Sequence, residues 1–299
     1  MSGRLLYAQA IGGDGSVVGN SISLASGGVG RAFSWRQDLG LNYLLGVSGE
    51  DSTQAWGVNS LGVVAGVVAA RNGLPQAAIW NKAGAVSLIG DLPGGMNWSA
   101  AFAINNNGVV VGGGNSANYS DHAFVWSSGK GMLDIQTRDS GFYSSTAYGI
   151  NDSGLVVGGG QTAYGAHAFL WSMSGGMQQL DYSTDEYTRA VGVNNFGSII
   201  GTSYRWGQAS WASIWNGADA FTNLNNLVDE SDPLKGRFNL LTAAGINDAG
   251  NIVGVGVVDG VDHAYFLTPV PEPKVRVLFL IGLALLVFLA GRQRSIVLG

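Results

Sequence analysis

Residues Ala147–Trp171, AYGINDSGLVVGGGQTAYGAHAFLW, decide how the rest of the chain is read, because the chain is built from copies of them. The front half is a short apolar segment, a polar turn closed by Gly154 and a β-branched segment; the back half, HAFLW, is a compact aromatic-aliphatic strand. Taking Asn151 as an anchor, the equivalent positions are Gly12, Asn59, Asn105, Asn151, Asn194 and Asn247, spaced 47, 46, 46, 43 and 53 residues apart. A glycine stands three residues after every anchor (Gly15, Gly62, Gly108, Gly154, Gly197, Gly250), and another four residues later (Gly19, Gly66, Gly112, Gly158, Gly201, Gly254).

Asn-x-x-Gly between two β-prone segments is a hairpin signature, with the amide bonding nearby backbone and glycine taking positive φ. The Val and Ile after it supply a second strand, and the next glycine marks a bulge or a close backbone approach. A third strand follows as Arg31–Trp35, Gln76–Trp80, His122–Trp126, His167–Trp171, Trp211–Trp215 and His263–Leu267. A fourth is expected at Val86–Ile89, Gly131–Ile135 and Met177–Asp181. Four short strands in about 46 residues is the arithmetic of a propeller blade. Phe169 and Trp171 point to one face of their strand, Ala168 and Leu170 to the other, so the sheet must be covered on both sides. A parallel β-helix is the rival architecture, but its coils are usually shorter, and a closed ring removes the open ends a solenoid must cap.

The expected fold is therefore all-β: a six-bladed β-propeller of four-stranded repeats over residues 1–268, followed by one C-terminal hydrophobic transmembrane helix. Residues 269–276 form a Pro-Glu-Pro linker, 277–291 (VLFLIGLALLVFLAG) the anchor helix and 292–299 a basic tail. Fifteen apolar or small residues are short for a full span of about 20, but flanking arginines extend the effective length by snorkelling. Arg4–Tyr7 is expected to complete the last blade, whose own repeat stops without a fourth strand. The ten residues MSGRLLYAQA carry too short an apolar core for a secretory signal, and Ala8–Ile11 already belong to the first repeat.

Glycine makes up 48 of 299 residues without a collagen period, and only 12% are charged. No cysteine is present, which excludes disulfides, thiolate-bound metals and a thiol nucleophile. Up to Pro273 there are 11 Lys+Arg against 20 Asp+Glu, a net of −9 (11 − 20); the remaining four basic residues lie in the tail. So acidic a body disfavours nucleic acid or an anionic membrane as partner.

The candidates for chemistry are few. His122, His167 and His263 share one repeat position, where a ring of imidazoles would suit a metal; the other copies place Arg31, Gln76 and Trp211 there, so a polar strand start is the expected role, and neither metal nor cofactor is assigned. The pairs Asn151-Asp152 and Asn247-Asp248 read as turn residues before they read as a hydrolase's paired carboxylates. The acidic stretch Asp229–Pro233 lacks the spaced pattern of a calcium loop and reads as a solvated loop. There is no G-x-S-x-G, Walker loop or H-E-x-x-H, and the runs Gly112–Gly114 and Gly158–Gly160 do not open helices. Trp56, Trp98, Trp206 and Trp211 stand outside the repeated Trp slot; filling blade interfaces is their expected role. Trp98 and Trp206 are the candidates for stacking on a sugar face.

The repeats, GIN-D-x-G-x-x-VG followed by HAFLW, resemble the HAF family of bacterial extracellular repeats over nearly all of residues 8–268, with His-Ala-Phe itself at His122–Phe124 and His167–Phe169. The tail resembles a PEP-CTERM sorting signal: Val270, Pro271, Glu272 and Pro273, then the apolar run, then Arg292 and Arg294. These resemblances imply export in a Gram-negative bacterium, transient anchoring in the inner membrane and recognition by an exosortase-type membrane protease. Delivery to the cell surface or an exopolysaccharide matrix would follow. They also imply a secretion signal, so the start of translation is expected to lie upstream of Met1. The expected function is a non-enzymatic surface or matrix protein, with a glycan-binding propeller and a polysaccharide hydrolase as alternatives.

Overall fold

A computed structural model describes residues 4–270 apart from 24–29, 50, 71–72, 97, 119, 182–185 and 217–220. The expected anchor helix at 277–291, the sorting residues Pro271, Glu272, Pro273, Arg292 and Arg294, and the basic tail lie outside the described residues. Among the described residues no helix is long and apolar enough to cross a membrane, and the only helical turns are two short 3-10 segments, Arg138–Ser140 and Leu224–Leu227. The described residues up to Phe266 form one compact unit.

That unit is an all-β, six-bladed propeller of antiparallel sheets. Blade one is β1 (Arg4–Ile11), β2 (Val17–Ser23), β3 (Arg31–Arg36) and β4 (Gly40–Leu44). Blade two is β5 (Ser52–Val58), β6 (Val64–Ala69), β7 (Pro75–Trp80) and β8 (Val86–Gly90). Blade three is β9 (Ser99–Ile104), β10 (Val110–Asn115), β11 (Asp121–Ser127) and β12 (Gly131–Asp134). Blade four is β13 (Ser144–Ile150), β14 (Val156–Thr162), β15 (Gly165–Ser172) and β16 (Gly176–Gln179). Blade five is β17 (Glu186–Val193), β18 (Ser198–Arg205), β19 (Trp211–Asn216) and β20 (Phe221–Asn223). Among the described residues blade six has three strands: β21 (Phe238–Ile246), β22 (Ile252–Val258) and β23 (Val261–Leu267). A fourth strand is expected from sequence only in the middle repeats; blades one and five have one as well, β4 and β20.

Two glycines per repeat shape each blade. Gly154, at φ +83°, closes its hairpin by donating its N–H to Asn151 O at 3.1 Å. Gly158 does a different job. It faces Ala147 where the register of β13 slips, and a Cβ there would sit 2.1 Å from Thr146 O and 2.5 Å from the Phe169 ring. The bulge carbonyl and the aromatic ring of the HAFLW strand share the space that glycine leaves, which ties the two halves of the repeat to one another.

The sheets pack face to face. The second strands of blades two and three are buried through five consecutive residues, as a strand between two neighbours must be. Trp80 and Trp215 are fully buried in the third strands. The end blades differ. Every other residue of β22 is open, including Val253 and Val255; β1 is exposed along nearly its whole length; and Trp35 is 41% exposed. Five junctions are packed, and the faces that would meet at the sixth are bare. Arg4–Tyr7 does not complete the last blade as expected: it pairs with Asn20–Ser23 inside blade one, because the Gly12–Gly15 turn folds it back onto its own next strand.

Candidate functional site

The anchor asparagines do more than make turns. In blade four Asn151 Oδ1 accepts the N–H groups of Ser153 (3.1 Å) and Leu155 (2.9 Å), fixing the turn, while Nδ2 donates to Asn194 O of blade five at 3.0 Å. The same forward bond runs from Asn59 to Asn105 O (3.1 Å), from Asn105 to Asn151 O (3.0 Å) and from Asn194 to Asn247 O (3.2 Å). The amide supplies both the acceptor and the donor this needs, where a carboxylate would supply acceptors alone. A second ladder runs beside it in the same direction. Asn106 N donates to Asp152 Oδ1 and Asn106 Nδ2 to Asp152 Oδ2, both at 2.9 Å, and Asn195 makes the same pair of bonds to Asp248 at 2.8 and 2.9 Å. The amide bonds from Asn106, backbone first, hold the Asp152 carboxyl below its ordinary pKa. Asp152 and Asp248 are thus turn and ladder residues in separate blades.

A third set of residues joins the blades at their opposite end. Thr53, Ser99, Ser145 and Thr188, each six residues before an anchor, are buried. Each hydroxyl accepts the N–H of the alanine in the preceding blade's third strand: Ala32 (2.9 Å), Ala77 (2.9 Å), Ala123 (3.0 Å) and Ala168 (2.8 Å). Each also donates to the fourth-strand side of that blade, as Thr53 does to Leu44 O at 2.7 Å and Ser99 to Gly90 O at 2.8 Å. Thr188 donates to Asp181, whose other oxygen lies 2.9 Å from His167 Nδ1.

The histidines accordingly occupy polar strand starts in separate blades. His167 is fully buried against Asp181, and His122 Nδ1 lies 2.7 Å from Asp134 with Ser120 Oγ at 3.1 Å from Nε2. Among the described residues no group of three or more His, Asp or Glu side chains is placed to hold a metal ion. In the acidic insert, Asp229 accepts both the N–H and the hydroxyl of Ser231, and Asp232 accepts the N–H of Leu234. Those two carboxylates build local turns.

What remains lies on the innermost strands. Three residues before the anchor stand Trp56, Phe102 and Tyr148, one from each of β5, β9 and β13. Their ring centroids are 5.8 and 5.6 Å apart, and the Arg189 guanidinium of β17 lies 5.3 Å above the Tyr148 ring. Two recesses flank this row. One, of about 230 Å³, lies between blades two and three and is lined by Gln54, Trp56, Trp98, Ala100 and Phe102 among others. The other, of about 210 Å³, is polar and brings Tyr148 and Arg189 together with Asp121, Ser144, Thr146 and Gln161. Of the two tryptophans singled out in the sequence, Trp98 is placed here. Trp206 is not: it sits 87% exposed at the end of β18 in blade five. Sequence reasoning missed Phe102, Tyr148 and Arg189, because their repeat positions hold Gln9 or Val191 and Tyr7 or Thr242 in other copies.

No protein-family model matches this chain, and no curated protein matches it either. Solved structures do. A putative TolB from Agrobacterium tumefaciens superposes with a TM-score of 0.54 at 12% identity, covering 89% of this chain and 91% of that one. TolB from Acinetobacter baumannii gives 0.51 at 11% identity, covering 89% and 64%. A chain from work on two prolyl endopeptidases gives 0.54 at 10% identity, covering 89% of this chain and 41% of that one. At such identities the likeness defines a class by fold, the β-propellers.

Proposed function

We propose that this chain is a non-enzymatic protein of the cell surface or extracellular matrix. It is sorted through the signal that Val270–Pro273, the apolar run and Arg292 and Arg294 resemble, and it associates with exopolysaccharide. The observation that carries this reading is the use the fold makes of its recurring polar side chains. The anchor amides, the Ser/Thr hydroxyls and the buried His167–Asp181 pair all hold the blades, and the carboxylates of Asp152 and Asp248 serve separate turns. An exosortase-type membrane protease is the proposed processing partner, with the helix at 277–291 as its transient anchor in the inner membrane.

A glycan-binding role is the second reading, favoured by Trp98 lying in one recess with Trp56 and Phe102. Rings of this size that stay half-exposed offer apolar faces with polar groups nearby, the arrangement that recognises a sugar's own apolar face and hydroxyl rim.

Labelling intact cells of the native host with a membrane-impermeant reagent tests the sorting. The full chain should be labelled, and a variant carrying Pro271→Ala and Glu272→Ala should be retained inside the envelope. Equal labelling of both would remove the signal from the account, and no labelling of either would remove the surface role.

A further inference from the structure

The row of inner-strand rings continues through three successive blades and ends on a cation. Trp56, Phe102 and Tyr148 are all half-buried, whereas the aromatic residues that fill the sheets' interfaces (Trp80, Trp215, Phe124, Phe169) are fully buried. The row is therefore a lining rather than a core. The apolar recess beside Trp56 and Phe102 and the polar recess beside Tyr148 and Arg189 lie on either side of the 5.6 Å contact between Phe102 and Tyr148, so the row of rings runs from one to the other.

We infer that this strip binds an extended, uncharged polysaccharide segment, with successive sugar units against Trp56, Phe102 and Tyr148 and the hydroxyls of the last unit bonded by Arg189, Asp121 and Gln161. The inference rests on the association with polysaccharide proposed above and gives it a place and a ligand class. The spacing supports a polymer: centroids 5.8 and 5.6 Å apart match the step of one pyranose unit in an extended chain, so one blade serves one sugar. The charges support a neutral one. Arg189 has no carboxylate partner among the described residues, yet Asp121 lines the same recess and offsets it, and the propeller as a whole is acidic. A polyanion would meet that field on approach, while an uncharged chain would not. Arg189 and Asp121 line one recess, and with Asp121 Oδ1 held by Asn115 Nδ2 at 2.6 Å, the guanidinium donors and the second carboxylate oxygen suit the hydroxyls of a sugar.

The test is titration calorimetry on the full chain in detergent. The ligands are laminaribiose, laminarihexaose, cellohexaose and, as the acidic counterpart, hexagalacturonate. At least one neutral hexasaccharide should bind, with the disaccharide weaker by about tenfold or more, since it spans fewer rings. Phe102→Ala, checked for an unchanged melting profile, and the exposed change Arg189→Gln should each weaken the hexasaccharide by about tenfold. Failure of every sugar to bind would remove both the polysaccharide association and the strip. Binding abolished by Trp206→Ala but untouched by Phe102→Ala and Arg189→Gln would keep the association and overturn the strip. Tighter binding of hexagalacturonate than of either neutral hexasaccharide would overturn the ligand class.

Discussion

At the scale of single residues, the anchor asparagine explains why so plain a turn recurs at one position. An aspartate at 151 would still accept the N–H groups of Ser153 and Leu155, but it would face Asn194 O with an oxygen instead of a donor. Asn151→Asp should therefore destabilise the fold by about 1–3 kcal/mol, the cost of an unmade buried hydrogen bond. Asn247 is the internal comparison: it is exposed and its Nδ2 has no partner among the described residues, so Asn247→Asp should change stability by less than about 0.5 kcal/mol. Urea unfolding of the two variants measures the difference, and equal losses would mean that the forward bond contributes nothing. The Asp152 carboxyl gives a pH test. Its pKa is lowered in the folded state, so its contribution is present above the ordinary carboxylate value of 3.8 and is lost as pH falls through the folded value. Between about pH 5 and pH 2.5, wild type should lose more of its melting temperature than Asp152→Asn, which keeps an acceptor for Asn106 N but does not titrate. Parallel losses would place the acid sensitivity elsewhere.

At the scale of elements, the hairpins were legible in the sequence and the joints between blades were not. Asn-x-x-Gly closes its turn within four residues and the next glycine stands at a fixed offset from it in every copy, so pattern alone reveals both. The Ser and Thr six residues before four of the six anchors act across a blade boundary, with partners 20–22 residues away, and a hydroxyl in a serine-rich chain carries no local signal. The aromatic row was hidden for a related reason: Trp, Phe and Tyr share one repeat position, but the other copies hold Gln9, Val191 and Ala244 there, so no motif forms. Assigning Arg4–Tyr7 to the last blade failed because a local turn outcompetes a distant edge, whose pairing must first close a loop of the whole propeller. The hydroxyl joint is testable in isolation. Thr188→Val keeps the shape but strands the N–H of Ala168 and removes a bond to Asp181, so a loss of about 1–3 kcal/mol is expected in denaturant unfolding. A loss below about 0.5 kcal/mol would demote the joint to ordinary packing.

At the scale of the whole molecule, the repeats form a stack whose middle is better supported than its ends. Blades two to five have a neighbour on each face, while β22 and β1 each present a bare one. Local opening should follow that pattern. In native-state hydrogen exchange of the full chain, amides of β6, β10 and β14 should exchange most slowly and those of β1, β22 and β23 at least tenfold faster. Uniform protection across all six blades would mean that the end faces are covered in solution. The same layout leaves the ring-lined strip on the inner strands of blades two to four, the best supported part of the stack, where a binding surface keeps its shape. The measurement that tests the central claim most directly follows one mixture of the full chain with a soluble neutral polysaccharide over several hours, reading the bound fraction and the appearance of new reducing ends together. The account predicts saturable binding with no new reducing ends. Chain cleavage would contradict it by making the protein an enzyme, and the absence of any binding would contradict it by leaving the propeller without its proposed partner.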